Sequence, residues 1–380
     1  MLDYDIKLET PLITPGGEDL WFHPRVAAIP TDCAGRPPAV VMTLSKHLKT
    51  SDHYSGLYAM RSDDLGRTWA GPEAVPELAW VNEGDVHIAV ADVTPGYHAP
   101  TGKVLAIGAQ VRYGRTGAQL EDVKRAHQTA YAVYDPENRR WTKWKRLEMP
   151  PDDKFDFARN ACAQWLVQPD GTLLLPLYFG TSAGLPTSVT VAQCAFDGTD
   201  LRYLRHDTEL KLNEVRGLVE PSLIRFDGRY YLTIRNDNRG YVTVGEDGLN
   251  FAPIKPWTFD DGSELGSYNT QQHWLAHSEG LFLVYTRRGA NNDHIVRHRA
   301  PLFMARVAPD RLCVLRSTER VLIPARLGEL GNFGAAPITE SESWVTVSEG
   351  VWDSKYKYHP EAESKTFIAR VSWSKPNLNY

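Results

Sequence analysis

The sequence predicts an all-β propeller built from four-stranded blades, and three observations carry that reading. Strand-like runs bounded by turn signals recur roughly every ten residues, helical periodicity is nearly absent, and one hairpin theme repeats along the chain. The theme is an apolar strand, a D-G or E-G turn, and a second apolar strand. It is clearest in WLVQPDGTLLLPLYF (165–179), SLIRFDGRYYLTIRND (222–237) and WLAHSEGLFLVYTRR (274–288). Radial repetition of four-stranded sheets leaves a long all-β chain few open strand edges.

Taken in order, RVAAIPTD, AVVMTLSKH, GLYAMRS and TWAGPEAV form a first four-strand group over 21–80. Similar groups follow at 83–149, 157–212, 217–260, 268–325 and 332–375. A direct count therefore gives six blades. The N-terminal run DYDIKLETPLI, about residues 3–13, is left to close the last blade as its outer strand, so that residues 1–380 form a single domain. Only GAQLEDVKRAH (117–127) has helical character.

Composition bounds the function. The 380 residues include 11 Trp, 17 Tyr, 29 Gly and 25 Pro, with no apolar run near the ~18 residues of a membrane span, which suits a soluble, turn-rich β protein without a membrane partner. A net charge of −5 argues against a nucleic-acid partner. Cys33, Cys162, Cys194 and Cys313 are far apart with no C-x-x-C pair, and read as free thiols. The start, MLDYDIKLETPL, lacks the basic and apolar regions of a secretory signal, which leaves a cytoplasmic protein or an exported one whose signal has been removed.

RSDDLGRTWAGP (61–72) places Ser62, Asp64, Gly66, Thr68 and Trp69 at the spacing S-x-D-x-G-x-T-W. An aspartate there can accept backbone N–H bonds of the turn, the glycine supplies a positive φ, and the tryptophan packs beneath the hairpin. The spacing is that of the Asp box, which recurs in sialidase-like propellers and is structural. A degenerate copy lies at VGEDGLNFAP (244–253), with Asp247, Gly248 and Phe251.

In a propeller, the start of each inner strand and the loop after the second strand meet at one end of the axis. Those places hold His23 and Arg25, then His47, Asp52 and His53, then His87, Gln110, Arg112 and Tyr113. Later blades add Arg159, Asn160 and Tyr178, then Glu220 and Arg235, then Tyr268, Asn269, Gln272, Arg287 and Arg288. Arg25, Arg235 and Arg287 supply planar forks for a sugar carboxylate, with Arg159, Tyr178, Tyr268 and Asn269 as further substrate-binding candidates. His23, His47 and His87 are candidates for proton transfer near neutral pH, and Asp52 and Glu220 are the candidate carboxylates. Strand alternation puts His23 and Arg25 on one side. Metal binding is the alternative for His273 and His277 in HWLAH and for His294 and His298 in DHIVRH. No metal site is assigned and no cofactor is required, although a structural metal ion remains open.

PRVAAIP resembles the arginine-bearing R-I-P segment of sialidases, and EPSLIRFDGRYYLTIR resembles their glutamate, D-G hairpin and second arginine. Arg287 then stands as a third arginine and Asp52 as the acidic loop residue. The longer strings NTQQHWLAHSEGLFLVYTRRGANNDHIVRHRAPLFMARV (269–307) and LRSTERVLIPARLGELGNFG (315–334) resemble the α-L-rhamnosidases of glycoside hydrolase family 145 and the related rhamnose-glucuronate and ulvan lyases. That resemblance spans most of the chain. It implies seven blades and an exo-acting hydrolase removing α-L-rhamnose linked to glucuronic acid from an anionic plant-type glycan.

The alternatives are a uronate lyase, an exo-sialidase or a non-catalytic glycan-binding propeller. The lyase relatives carry a histidine where this chain has Ala109 and Gln110, and a tyrosine and arginine where it has Cys162 and Tyr178, which favours hydrolysis. In the rhamnosidase relatives the histidine acts on the opposite face. His23, His47 and His98 all stand open for that role. A sialidase-type site would use Asp52, Glu220 and a tyrosine nucleophile.

Overall fold

The computed structural model describes all residues except 1, 32–34, 49–51, 115–116, 118–119, 121–127, 182–185, 353–358, 360 and 380. The helical candidate at 117–127 and Cys33 lie almost wholly or wholly outside that set. Among the described residues the helical turns are short 3-10 segments, and the remaining regular structure is antiparallel β.

Six sheets follow one another along the chain, with the long or leading inner strands Leu20–Ile29, Val86–His98 (beside the short strand Val81–Glu83), Phe157–Arg159 with Leu166–Val167, Val219–Phe226, His273–His277 and Gly334–Thr339. The blade count is six, and the seven implied by the rhamnosidase and lyase resemblance is corrected. The physical reason is closure: the N-terminal strand Tyr4–Thr14 pairs with Ser364–Trp373, from Tyr4 opposite Trp373 to Thr14 opposite Ser364. It thereby completes the sixth sheet outside Gly334–Thr339 and Glu342–Ser348.

Strands here are apolar on both faces because each sheet is sandwiched between two others. Leu105 and Ile107 of blade two pack with Leu173 and Leu175 of blade three. Tyr231 and Val242 of blade four meet Leu281 and Leu283 of blade five. The ring closes where Met42 and Leu44 of blade one meet Trp344 and Ile368 of blade six. Each fully buried Leu or Ile in these layers contributes about 1.5–3 kcal/mol.

The Asp box works as a side-chain-built turn. Ser62 Oγ accepts from Gly66 N at 2.7 Å, while Asp64 accepts from Thr68 N at 2.9 Å and from the Thr68 hydroxyl at 2.6 Å. Gly66 has φ +76°, and a Cβ there would lie 2.8 Å from the Trp344 ring, so the turn also seals the seam between blades one and six. The degenerate copy repeats the device with Asp247, which accepts from Leu249 N and Asn250 N.

Candidate active site

All inner strands run the same way along the axis, and four carry a residue in the left-handed region at the same place. These are His23 (φ 54°), Asp92 (φ 57°), Cys162 (φ 53°) and Glu220 (φ 46°). In blades one, two and four the residue sits at a β-bulge, between Phe22 and Arg25, between Ala91 and Thr94, and between Val219 and Ser222. Such backbone costs on the order of 1–3 kcal/mol per residue and persists where the surroundings fix it, typically next to a functional site. Its effect here is to bring four strand positions to one end of the axis.

The first group formed there is His23, Asp92 and Cys162. His23 Nε2 lies 2.9 Å from Asp92 Oδ1, and the Cys162 thiol donates to the same oxygen at 2.9 Å. Burial alone would raise the Asp92 carboxyl. The charge and hydrogen bond of His23, then Arg25 and the Cys162 thiol, outweigh it and hold the group well below the usual carboxylate range. His23 is buried at 3% exposed while the Asp92 side chain keeps 23%, so the carboxylate is the more open member. Burial, then Asp92, push the Cys162 thiol up, which makes it a hydrogen-bond donor and no nucleophile.

Tyr54 stands beside this pair, its ring centroid 4.7 Å from that of His23. Its hydroxyl faces Asp52 Oδ1 at 3.4 Å. Burial, then Asp52 and Asp92, push its phenol well above the ordinary value, so it keeps its proton.

The second group is Glu220, Arg235 and Asn269. Arg235 Nη1 donates to Glu220 Oε1 at 2.5 Å and Nη2 to Asn269 Oδ1 at 2.5 Å. Arg235 Nε and Glu220 Oε2 have no partner among the described residues. Nearby, the buried Arg299 lies 3.6 Å from Glu329 Oε2 and donates to Asn269 O. Burial lowers its guanidinium, with Arg235 adding repulsion and Glu329 opposing both. The two groups share one electrostatic neighbourhood, since Tyr178, buried and raised by that burial, feels Arg159, Glu220 and Asp92 together.

Other candidates from the sequence fall elsewhere or are engaged. Arg287 forms a bidentate pair with Glu319, at 2.8 and 2.7 Å, and lies over the Phe303 ring, so its fork is filled. The bulge breaks the alternation, and Arg25 packs between the neighbouring blades, with Gly334 against its Cγ and Nη1 3.5 Å from Val93 O, while its charge acts on Asp92. The three-arginine clamp is therefore not assembled, for two different reasons.

His87 is hydrogen-bonded to Asn82 and stacked on Trp80, and His47 packs among Phe22, Tyr54 and Trp352. Tyr268 bonds His298 Nδ1 at 2.6 Å, and the Arg159 guanidinium lies over Phe157 with Nε unpartnered among the described residues. His98 is held by Thr101 and Gly171, and His277 by Lys375 O and Glu279 N. No group of three metal-ligating residues occurs among the described residues.

Sequence reasoning missed Asp92, Tyr54 and Arg299. For Asp92 the available signal was an aspartate inside the otherwise apolar inner-strand run HIAVADV (87–93).

The axis is closed in the middle by the side chains two residues further along. Gln164 donates to Trp274 O and Ala335 O, and Ser222 Oγ bonds His273 Nδ1 at 2.9 Å, while His273 Nε2 reaches Phe333 O at 3.0 Å. Burial, then the Arg25 charge, hold His273 neutral, its pKa well below 6.5. This histidine, beside the opposite end of the axis, has both ring nitrogens occupied.

No protein-family model matches the sequence, and no curated protein matches it. Solved structures do. The NanB sialidase of Streptococcus pneumoniae is similar with a TM-score of 0.63 at 10% identity, covering 98% of this chain and 71% of that one. Trypanosoma rangeli sialidase gives 0.61 at 12%, covering 97% and 58%, and phage phi92 endosialidase gives 0.56 at 11%, covering 97% and 70%. The chain thus spans 58% of the trypanosomal enzyme. At these identities the likeness is one of architecture, and the fold of this chain is that of the sialidase-like six-bladed β-propellers.

Proposed function

We propose that the protein is an exo-acting glycoside hydrolase that removes a terminal sugar, α-L-rhamnose linked to glucuronic acid, from an anionic glycan. The observation that carries this reading is the His23–Asp92 pair, set by left-handed backbone at the same end of the axis as Arg235. Asp92 fixes His23 through Nε2, and Nδ1 has no partner among the described residues. His23 is then the group that exchanges a proton with the leaving oxygen or the attacking water. Arg235, its Nη1 and Nη2 held by Glu220 and Asn269, is the fixed positive charge offered to the substrate carboxylate.

A ligand of this charge also suits the neighbours. Trypanosoma rangeli sialidase is known in complex with sialic acid, a carboxylate-bearing sugar. The sialidase-type mechanism itself is less well supported here, because Glu220 is engaged by Arg235.

One observation favours a second reading. β-Elimination at a uronate needs a base and an acid, commonly His and Tyr, and the rings of His23 and Tyr54 are 4.7 Å apart. A digest of a rhamnosyl-glucuronate glycan decides between them. Hydrolysis releases rhamnose with no new near-ultraviolet absorption, whereas elimination leaves a conjugated double bond that absorbs there. Release of sialic acid from a sialoside instead would move the assignment to a sialidase, and affinity without any released sugar would make the protein a binding module.

A further inference from the structure

Away from the axis, the seam between blades one and two opens at the outer rim into a cleft of about 550 Å³. It lies between the edge strand Ala70–Ala74 of blade one and the strands Thr129–Asp135 and Arg140–Trp141 of blade two. Ala59, Ala70 and Ala74 line it where larger side chains would close the gap. None of the residues of the proposed active site lines it.

The blade-two side is aromatic and braced. Trp141 is half-buried, its ring against Tyr134 with centroids 4.8 Å apart, and the Tyr134 hydroxyl accepts from Arg61 Nη1 at 3.1 Å. The blade-one side carries Glu73 and Glu77, while Arg140 stands next to Trp141. All three are exposed, line the cleft, and enter no ion pair or side-chain hydrogen bond with the described residues. In and beside the cleft the carboxylates of Asp63, Glu73 and Glu77 match the guanidinium groups of Arg61, Arg139 and Arg140, so the place carries acceptors and donors but no net charge.

We infer that this cleft is a second binding site, remote from the axis, and that it takes a neutral sugar unit of a glycan. The apolar face of a sugar ring packs on the Trp141 indole, and its hydroxyls, which both donate and accept, meet Glu73 and Glu77 on one side and Arg140 on the other. Balanced charge gives an anionic ligand no advantage there, in contrast to Arg235 at the axis. The volume lies within the range of small-molecule sites, about 300–1,000 Å³. The inference rests on the reading of the protein as glycan-directed, and not on its catalysis.

Titration calorimetry with cellotriose, mannotriose, β-1,4-galactotriose and trigalacturonate tests the assignment. At least one of the neutral trisaccharides is expected to bind, one per chain. Trp141→Ala is expected to weaken that trisaccharide at least about tenfold, the scale of one lost aromatic platform with its hydrogen bonds. Glu73→Ala combined with Glu77→Ala is expected to weaken it as well, while Arg235→Lys leaves it unchanged and Trp141→Ala leaves trigalacturonate unchanged. Absence of binding by all three neutral trisaccharides overturns the inference, as does undiminished binding to Trp141→Ala or an equal loss of trigalacturonate in that variant. Should Trp141→Ala not fold, the Glu73→Ala/Glu77→Ala protein, altered at exposed positions, takes its place, and unaltered affinity there overturns the inference. Because the readout is binding, a protein that cleaves no rhamnosyl-glucuronate would refute the proposed activity and leave this result to be decided by the titrations.

Discussion

His23 and Asp92 belong to adjacent blades, 69 positions apart in sequence, and meet at 2.9 Å because each occupies the left-handed bulge of its inner strand. Their pairing makes the proton-transfer proposal testable. His23→Ala and Asp92→Asn are each expected to remain folded by circular dichroism and to cleave a rhamnosyl-glucuronate substrate at least about a hundredfold more slowly, the lower range for acid–base catalysis. If both variants keep wild-type rates while Asp52→Ala or Glu220→Ala is inactive, the catalytic assignment passes to the carboxylates.

Glu220 and Arg235 form a buried pair, at 2.5 Å, and each guards the other against desolvation. Removing one partner leaves an uncompensated charge, so Glu220→Ala or Arg235→Ala is expected to cost about 3–5 kcal/mol in chemical denaturation. The double variant should lose clearly less than the sum of the two. Additive losses would mean that the pair is not coupled.

Arg235 and Arg287 separate function from structure. Arg235→Lys keeps the charge but loses the fork, and is expected to weaken a charged substrate roughly tenfold to a hundredfold while hardly affecting its carboxyl-reduced analogue. Arg287→Lys loses the bidentate pair with Glu319 and is expected to lower the denaturation midpoint with the ratio of charged to reduced substrate unchanged. A shifted ratio in Arg287→Lys would return that residue to the binding site.

Asp64→Ala is expected to leave the activity of the folded protein intact while loosening the turn between Ser62 and Thr68. The bonds from Thr68, then Ser62, bring the Asp64 carboxyl down from 3.8 to about 2. Its folded value is depressed, so its contribution is fully present above pH 3.8 and is lost as pH falls through about 2. The difference in unfolding midpoint between wild type and variant should therefore shrink across that window. Loss of all activity at unchanged stability would place Asp64 in the site.

His273 governs a higher pH window. It is neutral in the folded protein with a pKa well below 6.5, whereas the unfolded chain protonates it below that value. The unfolded state then binds the extra proton, so stability falls as pH drops below about 6.5. Urea midpoints measured at pH 7 and pH 5 should fall further for wild type than for His273→Gln. Equal falls would show that the histidine is not held neutral.

How much of this was legible beforehand differs between fold and site. The four-strand groups with their D-G and E-G turns marked six blades, and the Asp-box spacing marked one turn down to its hydrogen-bonding side chains, because these are local patterns within one hairpin. The closing role of residues 3–13 was legible too, as the one strand left without a sheet. His23 and Glu220 on inner strands and Arg235 at the end of a second strand could be picked out as polar residues in apolar runs.

Other relationships depended on partners far away in the chain. Alternation predicted His23 and Arg25 on one side, but the bulge between Phe22 and Arg25 breaks that register, and His23 pairs with Asp92 while Arg25 reaches Val93 O. Arg287 looked available until Glu319, from beyond the next strand, filled its fork. Apolar runs bounded by turn signals thus determined blades and hairpins by themselves. The tertiary structure alone decided which charges meet, because ring closure brings inner strands from six blades to one axis and left-handed residues re-aim the side chains of four of them.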